Sequence, residues 1–268
     1  RRQRQMCIRD SPLVDLNEFV HGDEASRAQF VKDLGYAFEN IGFVGVVNHG
    51  ISKELVAGFY AGAKSFFSLP VDIKKKYEVP GLAGQRGYTS FGKEHAKQSR
   101  VADLKEFYQI GQKVADGDPI KSEYPDNVYI EETPEFSALG DQLYKAFENS
   151  GAHLLRAIAI HLNIGENYFV DKIHNGNSIL RAIHYPPIIQ EPDSAIRAEQ
   201  HEDINLITLL VGASAGGLQL LTKQNEWLDI IPGEDEIVVN VGDMLQRLTN
   251  DYLRSTTCLL YTSDAADE

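Results

Sequence analysis

The sequence predicts a mainly β fold, a jelly-roll barrel of antiparallel strands wrapped by a helical N-terminal region. Three observations carry this reading. Apolar residues recur at helical spacing as far as Leu162, the period changes to two from Ser178 onward, and turn residues break the C-terminal part at short intervals. Helices first and a dense run of strands afterwards make a barrel with a helical covering. With 268 residues, 43% hydrophobic and 24% charged, the chain has the composition of one globular domain or two small ones. A domain of this length buries roughly 70% of the surface its unfolded chain exposes, so a core forms without help from a disulfide or metal. Any metal here would serve chemistry.

Taken in order, 12–16 is extended, and Phe30, Leu34, Ala37, Phe38 and Ile41 share a helical face that Gly42 closes. Residues 43–48 are an apolar strand, and Ser52 can cap a helix running to Phe67. Pro70 opens a short basic turn of helix over 71–77, and the glycine-rich stretch 81–92 reads as a loop. Thr133-Pro134 starts a long helix with Phe136, Leu139, Leu143, Phe147, Leu154, Ile158 and Leu162 on one stripe. Strands follow at 179–185, 206–211, 218–221, 227–231 and 236–241, divided by Pro186-Pro187, Gly216-Gly217, Lys223 to Glu226 and Pro232-Gly233. The uncharged run from Ile204 to Thr222 has the length of a membrane span, but its polar interruptions and central glycine pair suit buried sheet better.

A net charge of −13 with no basic cluster in the body of the chain argues against nucleic-acid or membrane partners and favours a small-molecule substrate. The two ends are expected to be foreign. One DNA string that encodes RRQRQMCIRDS has a reverse complement that encodes CLLYTSDAAD, and it resembles a transposase sequencing adapter. The expected organisation is therefore 1–11 foreign, 12–125 an N-terminal region, 126–177 the long helix and its connection, 178–257 the barrel with its late strands missing, and 258–268 foreign. Both cysteines, Cys7 and Cys258, fall in the foreign segments. A cysteine-free remainder without an apolar leader fits a reducing cytoplasm.

His201-Glu202-Asp203 has the spacing that puts two side chains on one face of an extended segment, able to reach one metal. The pair alone means little, since His21-Gly22-Asp23 repeats it in a polar stretch where a solvated loop is the plainer account. The context decides. HEDINLITLL is followed by GGLQLL, Trp227, a Pro-Gly turn, VVNVGDML and Thr249-Asn250. Upstream stand Pro12 to Leu16, Gly42-Phe43, Asn48 to Ile51, and Leu180-Arg181 with His184-Tyr185-Pro186-Pro187. Together these resemble the non-haem Fe(II), 2-oxoglutarate-dependent dioxygenases, in the branch that includes isopenicillin N synthase. Ile183 and His184 depart from that pattern at the first two positions of its NYY segment.

The resemblance implies a double-stranded β-helix and an enzyme that uses Fe(II), 2-oxoglutarate and O2. Such an enzyme decarboxylates the oxo acid to succinate and CO2 while it hydroxylates, desaturates or cyclises a small organic substrate. It implies His201 and Asp203 as metal ligands, Tyr185 as hydroxyl donor to the cosubstrate carboxylate, and Asn205 as support for the ligands. Two imidazoles and one carboxylate on one face of Fe(II) leave room for a bidentate oxo acid and O2. No histidine follows His201, and Cys258 stands where the family places its second ligand histidine. The arginine that holds the far carboxylate of 2-oxoglutarate would lie later still. The chain as it stands is thus expected to be inactive.

A silent cupin-like binding barrel and a zinc hydrolase are the readings from other classes. His49, His153 and His161 read as structural, and the phase of His184 sets it opposite Tyr185. Arg181 shares parity with Tyr185, which suits a substrate mouth and a plain salt bridge equally well. Gly87-Tyr88 fits a substrate-side loop.

Overall fold

The computed structural model describes residues 12–93, 105–186, 198–211, 218–223, 225–233 and 235–260. In chain order the elements are β1 (Leu13–Asp15), α1 (Leu16–His21), α2 (Glu24–Asn40), β2 (Phe43–Val47), α3 (Lys53–Phe67), α4 (Val71–Lys75), β3 (Gly87–Thr89) and β4 (Glu106–Gly111). A 3-10 turn at Pro119–Glu123 precedes α5 (Pro134–His161) and α6 (Val170–Ile173). Then come β5 (Ile179–His184), β6 (Ala198–His201), β7 (Ile207–Val211), β8 (Leu218–Leu221), β9 (Trp227–Asp229), β10 (Ile237–Val241), α7 (Asp243–Leu248) and β11 (Cys258–Leu260).

Local chemistry accounts for the boundaries. Asp15 accepts from the backbone N–H of Asn17, so Leu16 opens a helix where the sequence pattern suggests extended chain. Asp23 caps α2 through Ser26, and Ser52 caps α3 through Leu55, as its sequence predicts. Gly42 ends α2 at φ +82°, and a Cβ there would run into the carbonyl oxygen of Arg254. The buried stripe of α5 is Phe136, Leu143, Leu154 and Ile158, four of the seven residues predicted for it.

Contacts divide the chain into two units. The first comprises Arg1–His49, Ser150–Phe169 and Ala198–Glu268. It holds two four-stranded sheets, ordered β1-β2-β10-β7 and β6-β11-β8-β9. Its β10 pairs antiparallel with β2 on one side and β7 on the other, so Val239 lies between Val44 and Leu209. All five residues of β10 are buried, which is why it reads as an unbroken apolar run. Phe43 and Val238 from the first sheet pack against Leu220 of the second and against Ile230, with Leu218 and Cys258 at the edge of that cluster. This is the sandwich of a jelly roll, with its core between the two sheets. Thr257, where the sequence reading ends the barrel, is followed by β11, which pairs with both β6 and β8. The barrel thus continues past the predicted boundary through Cys258–Leu260.

The second unit comprises Gly50–Asn149 and Val170–Arg197. Its sheet is β3-β4-β5, and β4 is buried along all six residues. Strand β3 lies inside the stretch read as a loop, and Tyr88 on it is buried rather than presented to a substrate. Strand β5, at the start of the region read as the barrel, pairs antiparallel with β4. The core is aromatic: Phe66 of α3 has Tyr108, Tyr88 and Phe136 at ring-centroid distances of 5.4, 5.7 and 5.8 Å. Among the described residues no helix is long and apolar enough to cross a membrane. The 204–222 run holds β7 and β8, as strand rather than span. Residues 1–11 and 261–268, most of the two segments expected to be foreign, lie outside the described residues, as do Pro187 and Gly216-Gly217.

Candidate active site

The predicted metal pair sits in the first unit, where β6 ends. His201 is the last residue of β6, and the chain then turns through 202–206 before β7 begins. Three backbone bonds pin that bend to the start of α7: Asp243 N–H to the Asp203 carbonyl at 2.7 Å, Met244 N–H to Asn205 at 3.1 Å and Gly242 N–H to Leu206 at 2.9 Å. Gly242 is required there, because a Cβ would collide with the Asn205 carbonyl oxygen.

The bend brings His201 and Asp203 together. The His201 Nε2 lies 3.8 Å from Asp203 Oδ1. Two donors about 2.1 Å from one ion can be at most about 4.2 Å apart, so one ion can engage both. The other carboxylate oxygen is already committed. Asp203 Oδ2 accepts from Thr208 Oγ1 at 2.6 Å and from Asn240 Nδ2 at 2.9 Å. Asn205 Nδ2 in turn donates to Thr208 Oγ1 at 2.8 Å. The carboxylate is therefore aimed, with Oδ1 left toward the imidazole. A nitrogen and an oxygen donor so presented fit Fe(II).

The predicted support is present but rearranged. Asn205 acts on Asp203 only through Thr208, whose strand parity argues against it. Parity fails because 203–206 is a bend rather than a continuous strand, so alternation does not carry across it. Asn240, from the VVNVGD run, is a contact to Asp203 that the sequence reading misses. The signal is in that motif, yet only the pairing of β10 with β7, which sets Asn240 opposite Thr208, gives it this role.

Cys258 faces His201 in the β11 register, with its Sγ 3.7 Å from the His201 carbonyl oxygen. The segment, expected to be foreign, is held in a strand. Burial, with the Asp203 and Glu202 carboxylates nearby, pushes its thiol up to about 12, so it is a neutral thiol at pH 7. Among the described residues no group of three His, Cys, Asp or Glu side chains is arranged to hold a metal ion.

Tyr185 directly follows β5 in the second unit and is half-buried. His184 donates from its Nδ1 to Glu106 Oε1 at 2.8 Å and stacks on Phe67. Arg181 lies over the Phe107 ring at 4.4 Å, a cation–π contact on the exposed side of β5. Three further histidines have structural surroundings. His161 pairs with Glu39 at 2.7 Å, the His153 ring lies 3.3 Å from Arg156, and burial pulls His49 below the usual imidazole range. The Asp23 of the second H-x-D pair spends its carboxylate on the α2 cap.

Comparison with known proteins bears on both units. Residues 11–135 match the family described as non-haem dioxygenase in morphine synthesis, N-terminal, and residues 176–257 match the 2OG-Fe(II) oxygenase superfamily. A proline hydroxylase from Petromyces alliaceus is 31% identical over 90% of this chain and 77% of its own length. A 2-oxoglutarate-dependent dioxygenase from Aspergillus rugulosus is 32% identical over the same shares. Among solved structures, a 2OG-Fe(II) oxygenase family protein from Caulobacter crescentus is 36% identical with a TM-score of 0.85, covering 96% of this chain and 81% of that one. A full-length Neurospora crassa protein in complex with alpha-KG is 28% identical with a TM-score of 0.82, over the same shares.

Proposed function

Because the chain belongs to the 2OG-Fe(II) oxygenase superfamily, we propose that His201 and Asp203 are its metal ligands and that Tyr185 binds its cosubstrate. It is an oxidoreductase of the 2-oxoglutarate-dependent dioxygenases, which use Fe(II), 2-oxoglutarate and O2. The single observation that carries the site is Asp203, fixed through one oxygen by Thr208 and Asn240 with its other oxygen toward His201. Such support orients a ligand and tunes its basicity. Bound there, Fe(II) supplies the chemistry that couples decarboxylation of 2-oxoglutarate to oxidation of a substrate C–H bond.

The chain's own groups bind and orient. His201 Nε2 and Asp203 Oδ1 are the donors, Thr208 relays the orientation of Asn205 to the carboxylate, and the Tyr185 hydroxyl donates to the carboxylate of the oxo acid. The substrate is a small organic molecule that is hydroxylated, desaturated or cyclised. The proline hydroxylase and the Neurospora crassa protein, also solved with thymine, are relatives whose named molecules are of that size. A cytoplasmic location belongs to the same proposal and rests on the absence of cysteine from 12–257.

These 268 residues supply two ligands to the ion, with Cys258 where the family places its second ligand histidine, so they turn over little or no 2-oxoglutarate. The test is conversion of 2-oxoglutarate to succinate under Fe(II), ascorbate and O2. This chain is compared with a version that carries Cys258→His and continues into an arginine-bearing terminus of the family type. Turnover is expected only in the second. Equal turnover in both overturns the ligand assignment, and hydrolysis that needs zinc but no 2-oxoglutarate overturns the oxygenase reading.

A further inference from the structure

Glu106 is a buried carboxylate far along the chain from the metal pair, and three side chains converge on it through four hydrogen bonds. Its Oε1 accepts from Lys74 Nζ at 2.9 Å and His184 Nδ1 at 2.8 Å. Its Oε2 accepts from Lys74 Nζ at 2.7 Å and from the Tyr88 hydroxyl. Lys74 also donates to the Phe67 carbonyl at 3.0 Å, and the His184 ring stacks on Phe67 with centroids 5.1 Å apart. Lys74 and Glu106 are both buried, at 5% exposure.

One carboxylate thus ties α4 and β3 to the last residue of β5 within the second unit, while Lys74 and the His184 ring both reach Phe67 of α3. Glu106 and His184 are also direct partners in the β4–β5 register. The alternation along β5 holds to its end: Ala182 is buried while Arg181 and Ile183 are exposed. His184 therefore takes the inward side, and Tyr185 is joined to it directly. Nothing in the metal-site reading uses Glu106. A buried ion pair with satisfied hydrogen bonds is weak evidence for added stability and better evidence for a fixed geometry.

We propose that Glu106 is a positioning residue for Tyr185, holding the His184 ring so that the backbone at the end of β5, and with it the Tyr185 hydroxyl, keeps one direction. The proposal deepens the reading of Tyr185 as the cosubstrate's hydroxyl donor and rests on it for its functional meaning. Glu106 has no proton to give at neutral pH, so the hydrogen between them is on His184 Nδ1. An asparagine at 184 can present an amide N–H near the same place, whereas a phenylalanine keeps the stack on Phe67 and loses the donor.

The experiment is nitration of the full chain by tetranitromethane, without metal or cosubstrate, followed by peptide mapping of Tyr185 against the exposed Tyr252. The variants are Glu106→Gln, His184→Phe and His184→Asn, with circular dichroism as the check on folding. The Tyr185 rate is expected to rise severalfold in Glu106→Gln and His184→Phe, to stay near the native rate in His184→Asn, and the Tyr252 rate to stay constant. An unchanged Tyr185 rate in His184→Phe, or the same rise in His184→Asn, overturns the proposal. Calorimetric titration with 2-oxoglutarate and Mn(II), on the same variants made in the version that carries Cys258→His and an arginine-bearing terminus, separates the two claims. Weaker binding in step with faster nitration supports both, and faster nitration with unaltered binding overturns the role of Tyr185 but not the positioning by Glu106.

Discussion

Replacement of Glu106 by glutamine gives a pH-dependent loss of stability whose size follows from the structure. Burial alone would raise this carboxyl, but hydrogen bonds from His184, Lys74 and Tyr88 outweigh it and hold its pKa at about 2, against an ordinary 4.5. A depressed carboxylate pKa contributes stability that is fully present above the unfolded value and is lost as pH falls through the folded one. At about 1.4 kcal/mol per unit, the difference is worth about 3 kcal/mol at pH 7. The Glu106 side chain is only 6% exposed, so solvent screening takes little from this figure. Removing one partner of a buried pair costs about 3–5 kcal/mol, which agrees. By pH 3 the carboxyl is largely protonated in the unfolded chain but not in the folded one, and roughly half of the contribution remains. Urea unfolding followed by circular dichroism should therefore show Glu106→Gln less stable than the native chain by about 3 kcal/mol at pH 7 and by roughly half that at pH 3. A gap of equal size at both pH values would refute the assignment of the shift to this network.

Thr208→Val and Asn240→Leu each remove one hydrogen bond to Asp203 Oδ2, worth about 1.5 kcal/mol for a charged acceptor, and should each weaken Co(II) binding roughly tenfold in a spectrophotometric titration. Unchanged affinity in both would mean that Asp203 is not a ligand. Gly242→Ala forces a Cβ against the Asn205 carbonyl and should displace the 203–206 bend, costing about 1–3 kcal/mol of stability together with metal binding. If Gly242→Ala leaves both intact, the bend is not what sets the ligand pair. Phe66→Ala empties the aromatic core of the second unit and should cost about 3–5 kcal/mol in denaturant unfolding, with far less effect if the cavity collapses.

The sequence by itself determined what depends on neighbours along the chain. The cap Ser52, the apolar faces of α2 and α5, the helix stop at Gly42 and the C-terminal strands all follow from local residue order, because periodicity and capping act within a few residues. The pair His201 and Asp203 was singled out by the motif around it rather than by its spacing, because the two meet at a bend beyond the end of β6 and not on a continuous strand. What only the tertiary structure decided required partners far apart in the chain. Strand β5 has the alternation of a barrel strand, yet it pairs with β4, and no pattern within 179–184 states which edge it will meet. Asn240 reaches Asp203 because β10 lies beside β7, and Thr208 does so because a bend pinned by α7 breaks the parity that sequence alone assumes. Lys74, Tyr88, Glu106 and His184 are four unremarkable polar residues until the second unit closes around them and leaves one carboxylate as the common acceptor. Hydrogen-bond partners of buried polar groups are chosen by folding, which must satisfy each of them with whatever the topology brings within reach.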